Sequence, residues 1–198
     1  AIGGTIMVRL VMGVGVNDRK YAARIDGKII KEYNLWAAML VRCYDTKYHE
    51  KNTTYIGCSV SDNFKKFSYF YEWCNLQIGF NIESYQLDKD LLCKGNKIYN
   101  ENSCVFLPSI VNSMLIKCDS SRGDLPIGVS KSGNNFIAKC RKYGTRKYIG
   151  TFDTPELAFN AYKTFKEAHI KELAEKYKGT IDPRAYQALL NYEVSIDD

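Results

Sequence analysis

The sequence predicts an α+β protein built from two domains, and two observations support this fold class. In the last third of the chain, three strand-like runs separated by hairpin-length turns precede one long amphipathic helix, which predicts a three-stranded antiparallel sheet packed on that helix. Earlier, residues 85–117 have the pattern of a strand, a tight turn, a second strand and a helix, a ββα unit. The small polar residues 119–124 separate the two regions, so we expect domains at 1–118 and 119–198.

The N-terminal domain also contains two segments in which apolar residues have helical spacing. The first covers 34–44, and the second begins at Ser61 or Asp62 and stops near Gly79. The apolar positions are Trp36, Met39, Leu40 and Cys43 in the first segment and Phe64, Phe67, Phe70, Tyr71 and Cys74 in the second. We expect both sets to pack in a hydrophobic core.

The composition excludes several classes of protein. With 45% hydrophobic and 25% charged residues, the chain has the composition of a folded protein, and it contains no apolar run long enough to span a membrane. Its seven cysteines include no CxxC motif, which fits neither a disulfide framework nor a zinc ribbon. We therefore expect reduced thiols in a cytoplasm. The formal net charge of +6 is compatible with a polyanionic partner.

The C-terminal domain ends in a helix that we expect from Thr154 to about Lys178. Asp153 or Thr154 can cap it, and Pro155 can occupy its first turn. The residues along its apolar face are Leu157, Ala158, Ala161, Tyr162, Phe165, Ala168, His169 and Leu173. This face would cover one side of the sheet and leave the other side open.

Strand alternation divides the middle strand of this sheet into two faces. One face carries Phe136, Ala138 and Cys140, and the other carries Ile137, Lys139 and Arg141. Alternation alone does not fix which set faces the helix, but Arg146 and Tyr148 of the next strand can join the basic set on the open side. A small sheet with basic and aromatic residues on its open side can enter the major groove of DNA. The alternative is an ordinary solvated strand face.

A longer pattern favours the DNA-binding interpretation. Its residues are Gly128, Val129, Phe136, Ala138, Arg141, Arg146, Tyr148, Ile149, Gly150, Thr151, Phe152, Ala158, Ala161 and Tyr162. At these positions the chain resembles the plant ethylene-response-factor or APETALA-type DNA-binding domain, which also occurs in phage homing endonucleases and integrases. The resemblance implies double-stranded DNA as the partner. The DNA-binding candidates are Lys139, Arg141, Arg146, Lys147 and Tyr148. The chain differs from plant members at Ser130 and Ser132, which replace arginines, and at Lys139, which replaces an acidic residue.

The first domain has motifs of its own. They are Trp36-x-x-Met39-Leu40-x-Arg42-Cys43-Tyr44, Tyr55-Ile56-Gly57-Cys58-Ser59-Val60, Leu87-Asp88-Lys89-Asp90, Gly95-Asn96-Lys97-x-Tyr99 and Cys104-Val105-Phe106-x-Pro108. In this order they resemble the N-terminal part of phage proteins grouped with HNH homing endonucleases. The resemblance implies a ββα site that holds one divalent metal ion, Mg²⁺ or Mn²⁺, beside a general base.

Candidate residues for such a site follow from the same stretch. The catalytic candidates are Asp88, Lys89 and Asn112, and the metal candidates are Asp88, Asp90 and Asn96. Asp88 and Asp90 alternate to the same face of a strand and offer the oxygen ligands that Mg²⁺ prefers. Lys89 stands where the family has its catalytic histidine, and an ammonium group is protonated near neutral pH unless it is strongly desolvated.

Two alternatives to this site stay open. Asp88 and Asp90 can instead pair with Lys97 or Arg42 and organise a turn. Of the two histidines of the chain, His49 can fold back as the general base, although a surface position is expected for it, and His169 on the C-terminal helix is expected to be structural or solvated.

The sequence therefore leaves two functions to compare. The first is a sequence- or structure-selective duplex DNA-binding phage protein related to HNH homing endonucleases, with metal-dependent nicking or cleavage if the site is competent. The second is a non-enzymatic phage effector or transcription regulator that binds DNA, a host protein or both on a degenerate nuclease scaffold. Both place the protein in the cytoplasm of an infected bacterial host.

Overall fold

The computed structural model describes residues 9–116 and 123–196, and the chain divides into two compact units. The first unit runs up to Glu83 and takes in Leu87–Phe106, and the second takes in Ser84–Gln86 and the chain from Leu107 onward. The division therefore falls earlier than the expected boundary at 118/119. Residues 119–122 of the expected linker lie outside the described part of the chain.

Both units contain helices and strands. The strands are β1 Arg24–Ile25, β2 Lys28–Ile29, β3 Ser59–Val60, β4 Tyr85–Asp88, β5 Ile98–Tyr99, β6 Val105–Pro108, β7 Val129–Ser132, β8 Asn135–Lys142 and β9 Thr145–Phe152. The helices are α1 Lys31–Tyr44, α2 Thr46–Lys51, α3 Phe67–Leu76, α4 Ser109–Met114, α5 Pro155–Tyr177 and α6 Pro183–Leu190, with 3₁₀ turns at Thr53–Tyr55 and Asn63–Lys65. The predicted α+β class is confirmed. Among the residues described, none of the helices combines the length and apolar character needed to cross a bilayer.

The apolar faces of α1 and α3 form an aromatic core in the first unit. The predicted α1 positions Trp36, Met39, Leu40 and Cys43 are all buried. The indole N–H of Trp36 donates to the carbonyl oxygen of Phe64 at 2.8 Å, so this large side chain is buried without an unpaired polar atom. Burial of such a side chain stabilises the unit by about 1.5 to 3 kcal/mol.

Helix α3 begins later than predicted because the chain is extended at Lys66. The backbone of Lys66 has φ −94° and ψ 122°. Val16 pairs with this extended residue as in a parallel β-bridge. The N–H of Val16 donates to the carbonyl of Lys65, and the carbonyl of Val16 accepts from the N–H of Phe67. The residues before Lys66 therefore form a separate 3₁₀ turn, and the helix runs only from Phe67 to Leu76.

The strand pairing around Asp88 differs from a simple hairpin. After the predicted tight turn at Gly95, β5 pairs in parallel with β3. The strand that pairs with β4 is β6, which leads into α4 through Pro108. The predicted order of strand, turn, strand and helix is present, but β4 and β5 do not pair with each other.

In the second unit, the predicted three-stranded antiparallel sheet packs on α5. β8 is the central strand, joined to β7 and β9 by two-residue turns at 133–134 and 143–144. The side chain of Thr154 caps α5 by accepting from the N–H of Leu157 at 3.2 Å, and Pro155 lies in the first turn. Thr154 was one of the two predicted caps, and Pro155 has its predicted position in the first turn.

Helix α5 is buried on two sides rather than one. The predicted residues Ala158, Tyr162, His169 and Leu173 are buried, but Leu157 and Ala168 are exposed. A second stripe, Phe159, Ile170 and Ala174, is also buried. This second stripe is buried because α6 packs on α5. The chain that follows α6 is also bonded to α5: the ammonium of Lys163 donates to the carbonyl of Val194 at 2.9 Å, and Glu167 accepts from the N–H of Val194 at 2.8 Å.

Candidate nucleic-acid interface

The register of the sheet settles which side chains point away from α5. Ala138 and Cys140 of β8 are buried on the helix side, so the alternate residues of β8 lie on the other face. Residues directly opposite on neighbouring strands share a face. The pairs on the face away from α5 are Ile137 with Thr151, Lys139 with Tyr148, and Arg141 with Arg146. We call these six residues the open face.

A β-bulge decides which residues of β9 belong to the open face. The register shifts between Ala138 and Lys139, so that Ile149 is the extra residue on β9. In an unbroken ladder, Lys147 would lie opposite Arg141. The shift brings Arg146 to that position and places Lys147 opposite the buried Cys140, on the helix side. Lys147, a DNA-binding candidate of the sequence, is therefore not part of the open face.

Positive charge is concentrated in this sheet. Residues 125–152 contain six of the 28 basic residues of the chain and none of its 22 acidic residues, so the rest of the chain holds 22 of each sign. The whole formal net charge of +6 is thus the charge of this sheet and its turns. Such a concentration attracts a polyanion far more effectively than the same charge spread over the surface.

The cations of the open face have no internal counter-charge. Within the described part of the chain, the side chains of Lys139, Arg141 and Arg146 make no hydrogen bond or ion pair. Tyr148 is 62% exposed, and its hydroxyl lies 2.8 Å from Thr151 Oγ1. The open face therefore presents free guanidinium donors beside an exposed ring. Thr151 was missed in the sequence because strict alternation from Tyr148 places it on the opposite face.

Three of the candidate nuclease residues, Asp88, Lys89 and Asp90, lie in a tight turn at the end of β4. The Oδ1 atom of Asp88 accepts from the N–H groups of Asp90 at 3.0 Å and Leu91 at 2.8 Å. Such a bond pattern closes a turn through the side chain of its first residue. Burial raises the pKa of the Asp88 carboxyl above its usual value, although the N–H of Leu91 acts in the opposite direction.

Lys89 and Asn96 join the two ends of this loop. The buried ammonium of Lys89 lies 2.6 Å from Oδ1 of Asp90 and donates to the carbonyl of Asn96 at 2.9 Å. The side-chain amide of Asn96 donates to the carbonyls of Lys89 and Ile98 at 2.9 and 2.6 Å. The alternative expectation of an organised turn is correct for the turn but wrong for the partner: Asp90 pairs with Lys89 and not with Lys97 or Arg42, and Lys97 donates to the carbonyl of Thr54.

The candidate metal ligands Asp88, Asp90 and Asn96 are bonded within their own loop. Oδ1 of Asp88 and the side-chain amide of Asn96 bond to the backbone of the loop, and the ammonium of Lys89 lies beside Oδ1 of Asp90. In the described ranges, no three His, Cys, Asp or Glu side chains are grouped so as to hold a metal. Asn112, the third catalytic candidate, belongs to the second unit and donates to Gln86 at 2.9 Å.

The two histidines are bonded or buried within the chain, and five of the six described cysteines are buried. His49 Nε2 lies 2.8 Å from the carbonyl oxygen of Arg42. His169 is buried on α5, and burial lowers its pKa below the ordinary value. Six cysteines of the described part are free thiols, and burial raises the pKa of Cys43 and of Cys104 to about 12, so these two thiols are unreactive near neutral pH.

A structural role for Asp88 leads to a prediction. Asparagine keeps the oxygen that closes the turn and removes the buried charge, so Asp88→Asn should be at least as stable as the wild type at pH 7. Between the usual pKa of Asp88 and its raised value in the folded state, the folded chain binds more protons than the unfolded chain. Wild-type stability contributed by this group therefore falls as pH rises through that window, and the relative gain of Asp88→Asn should grow from about pH 4 to pH 7.

Urea unfolding at both pH values measures this difference. Asp62→Asn is a control, because Lys65 lowers the pKa of that carboxyl below its usual value, so its contribution to stability changes mainly below about pH 4 and the effect of Asp62→Asn should stay nearly constant from pH 4 to pH 7. A relative stability of Asp88→Asn that falls with rising pH would contradict the assignment.

Comparisons with protein-family models, with characterised proteins and with solved structures give no match to this chain. The resemblance to DNA-binding domains therefore stays a prediction from the residues named in the sequence.

Proposed function

We propose that this chain binds double-stranded DNA through the open face of the β7–β9 sheet. The observation that carries the proposal is the concentration of the entire net charge of +6 in residues 125–152. Three of those cations lie on one face beside an exposed tyrosine. Phosphate groups are the anions that such a surface can meet at regular spacing.

The pair Arg141 and Arg146 is the central feature of this surface. The two residues are directly opposite on neighbouring strands, so their Cβ atoms are about 5 Å apart. Like charges at that distance repel one another, and an anionic partner removes the repulsion. A guanidinium group can bind a phosphate or the O6 and N7 atoms of guanine with two parallel hydrogen bonds.

Lys139 and Tyr148 extend the surface along the strands. They face each other across β8 and β9, next to the arginine pair. A lysine supplies a point charge for phosphate, and a tyrosine ring packs against sugar or base atoms. The resemblance of residues 126–162 to the ethylene-response-factor or APETALA-type domain supports the same surface and the same class of partner.

Salt dependence of binding tests the proposal. A fluorescently labelled duplex titrated with the full chain should show affinity that falls linearly with salt on a logarithmic scale, with a slope of about −3, since three free cations give about −0.9 each. A single strand of the same sequence should bind more weakly because it lacks the groove. Absence of duplex binding at low salt, or binding that does not change with salt, would contradict the proposal.

The same preparation tests nicking. Supercoiled plasmid incubated with the chain and Mg²⁺ or Mn²⁺ should remain intact, because the atoms of Asp88, Asp90 and Asn96 are engaged within their own loop. Nicking by the wild type that the Asp88→Asn variant lacks would assign Asp88 a catalytic role after all.

A further inference from the structure

The hairpin between β8 and β9 has an unusually charged tip. Arg141, Lys142, Arg146 and Lys147 lie within three residues of its two-residue turn, and the strands contain no acidic residue. Repulsion among four cations favours fraying of the strand ends. Something outside the hairpin must offset this repulsion if the arginine pair is to keep a fixed geometry.

The turn itself also opposes a regular hairpin. Tyr143 and Gly144 have positive φ angles of 49° and 78°, as a two-residue type I′ turn requires. Glycine adopts this conformation readily, but an aromatic side chain there is strained. Tyr143 must therefore gain from contacts that its ring and hydroxyl make elsewhere.

Those contacts are on α5, and Glu172 is at their centre. Its carboxylate lies 2.6 Å from the ammonium of Lys142 and accepts from the hydroxyl of Tyr143 at 2.9 Å. The Tyr143 ring packs edge-on against the buried imidazole of His169, with the ring centroids 5.0 Å apart, and the ammonium of Lys176 lies 5.3 Å from its centre.

The carboxylate of Glu172 stays charged in this setting. Hydrogen bonds from Lys142 and then from Tyr143 hold its pKa at about 2. Charge-assisted hydrogen bonds of this kind are stronger than neutral ones. One carboxylate thus binds two consecutive residues of the hairpin tip and partly neutralises its charge.

We propose that Glu172 is a positioning residue for DNA binding: it clamps the tip of the β8–β9 hairpin to α5 and so fixes Arg141 and Arg146 in the arrangement that the open face presents. This inference rests on the proposed function. Glu172 lies on the opposite side of the sheet from the open face, so it acts through the hairpin and does not touch the DNA.

Amide hydrogen exchange of the full chain without DNA tests the clamp. Glu172→Ala should speed exchange of the backbone amides at 139–148 by about 3- to 10-fold, because two charge-assisted bonds are lost. Tyr143→Phe, which removes only the hydroxyl, should give a smaller increase at the same amides. Glu175→Ala is the matched control: it removes the same charge from the same helix, but Glu175 accepts from Tyr186 of α6 at 2.6 Å. Unchanged exchange at 139–148 in Glu172→Ala would overturn the clamp.

Duplex affinity tests its consequence for binding. At about 0.15 M salt, where charges more than about 8 Å apart are largely screened, Glu172→Ala should bind about 3-fold more weakly than Glu175→Ala, because ordering the arginines on binding then opposes association. Faster exchange with unchanged affinity, in a preparation where Arg141→Ala weakens binding, would overturn the positioning role. If neither Arg141→Ala nor Glu172→Ala affects affinity, the proposed function is wrong, and the hydrogen-exchange result alone then tests the clamp.

Discussion

Replacing Arg141 and Arg146 together by alanine should weaken duplex binding by about 2 to 5 kcal/mol. Each arginine that meets a guanine edge is worth about 1 to 3 kcal/mol, and neighbouring residues are not additive. The two guanidinium groups have no ion-pair partner within the described part of the chain, so their removal exposes no buried charge and should leave the fold intact. Any loss of affinity can then be assigned to the DNA contact.

Anisotropy titrations of the wild type, both single variants and the double variant at one salt concentration measure this loss as a double-mutant cycle. The salt slope should also fall by about 1 for each of the two arginines that contacts a phosphate instead of a base. Lys131→Ala serves as a control, since Lys131 lies opposite Phe136 on the helix side of the sheet. A double variant that loses less than about 0.5 kcal/mol would contradict the role of the pair, since surface substitutions that matter little fall within that range.

Gly128→Ala should destabilise the second unit by about 3 kcal/mol. Gly128 has φ +77°, a conformation that costs a residue with a Cβ atom about 1 to 2 kcal/mol. A Cβ atom there would also overlap the ring of Tyr162, and crowding of a packed core adds about 1 to 3 kcal/mol. The close approach of β7 to α5 thus depends on glycine at this position.

Gly133→Ala separates these two contributions. Gly133 has a similar φ of +59°, but a Cβ atom there would meet nothing within 4 Å. Urea unfolding should therefore show that Gly133→Ala lowers the free energy of unfolding only by the cost of the positive φ angle. Gly128→Ala should lower it by that cost and by the overlap with the ring of Tyr162. Equal losses in the two variants would show that the ring of Tyr162 moves aside without cost.

Much of the second unit was predictable because its signals are local. Turn residues such as Gly133 and Gly144 mark the hairpins, and Thr154 with Pro155 marks the start of α5. The buried faces of α5 were only half predictable, since the second stripe is explained by α6, which is distant in sequence. Asp182 and Pro183 do mark the start of α6, because the Asp182 side chain accepts from the N–H of Arg184 at 2.8 Å.

In the first unit, local signals were either overlooked or overridden. Asp26-Gly27 forms the turn of the β1–β2 hairpin, with φ of 49° and 75°, and Asp-Gly is among the strongest hairpin signals in a sequence. Tertiary contacts decided the rest: the bonds of Val16 on either side of Lys66 shorten α3, and β3 rather than β4 takes β5 as its partner.

Membership of the open face was also beyond local prediction. Arg146 and Lys147 are adjacent and carry the same charge, and only the bulge opposite Ala138 and Lys139 determines which of them faces outward. The side-chain bonds of Asp88 and Asn96 likewise depend on how their loop closes. The motifs therefore indicated which residues to consider for DNA binding and for metal binding. They did not determine which side chains face outward or which groups those side chains bond to.

The adjacent residues Arg146 and Lys147 provide the most direct test of the central claim that one face of this sheet binds duplex DNA. Arg146→Ala and Lys147→Ala should be titrated side by side against the same duplex at the same salt concentration. We expect Arg146→Ala to lose about 1 to 3 kcal/mol of binding free energy and Lys147→Ala to lose less than about 0.5 kcal/mol. Equal losses would mean that net charge alone attracts the DNA, and a larger loss for Lys147→Ala would place the interface on the opposite face.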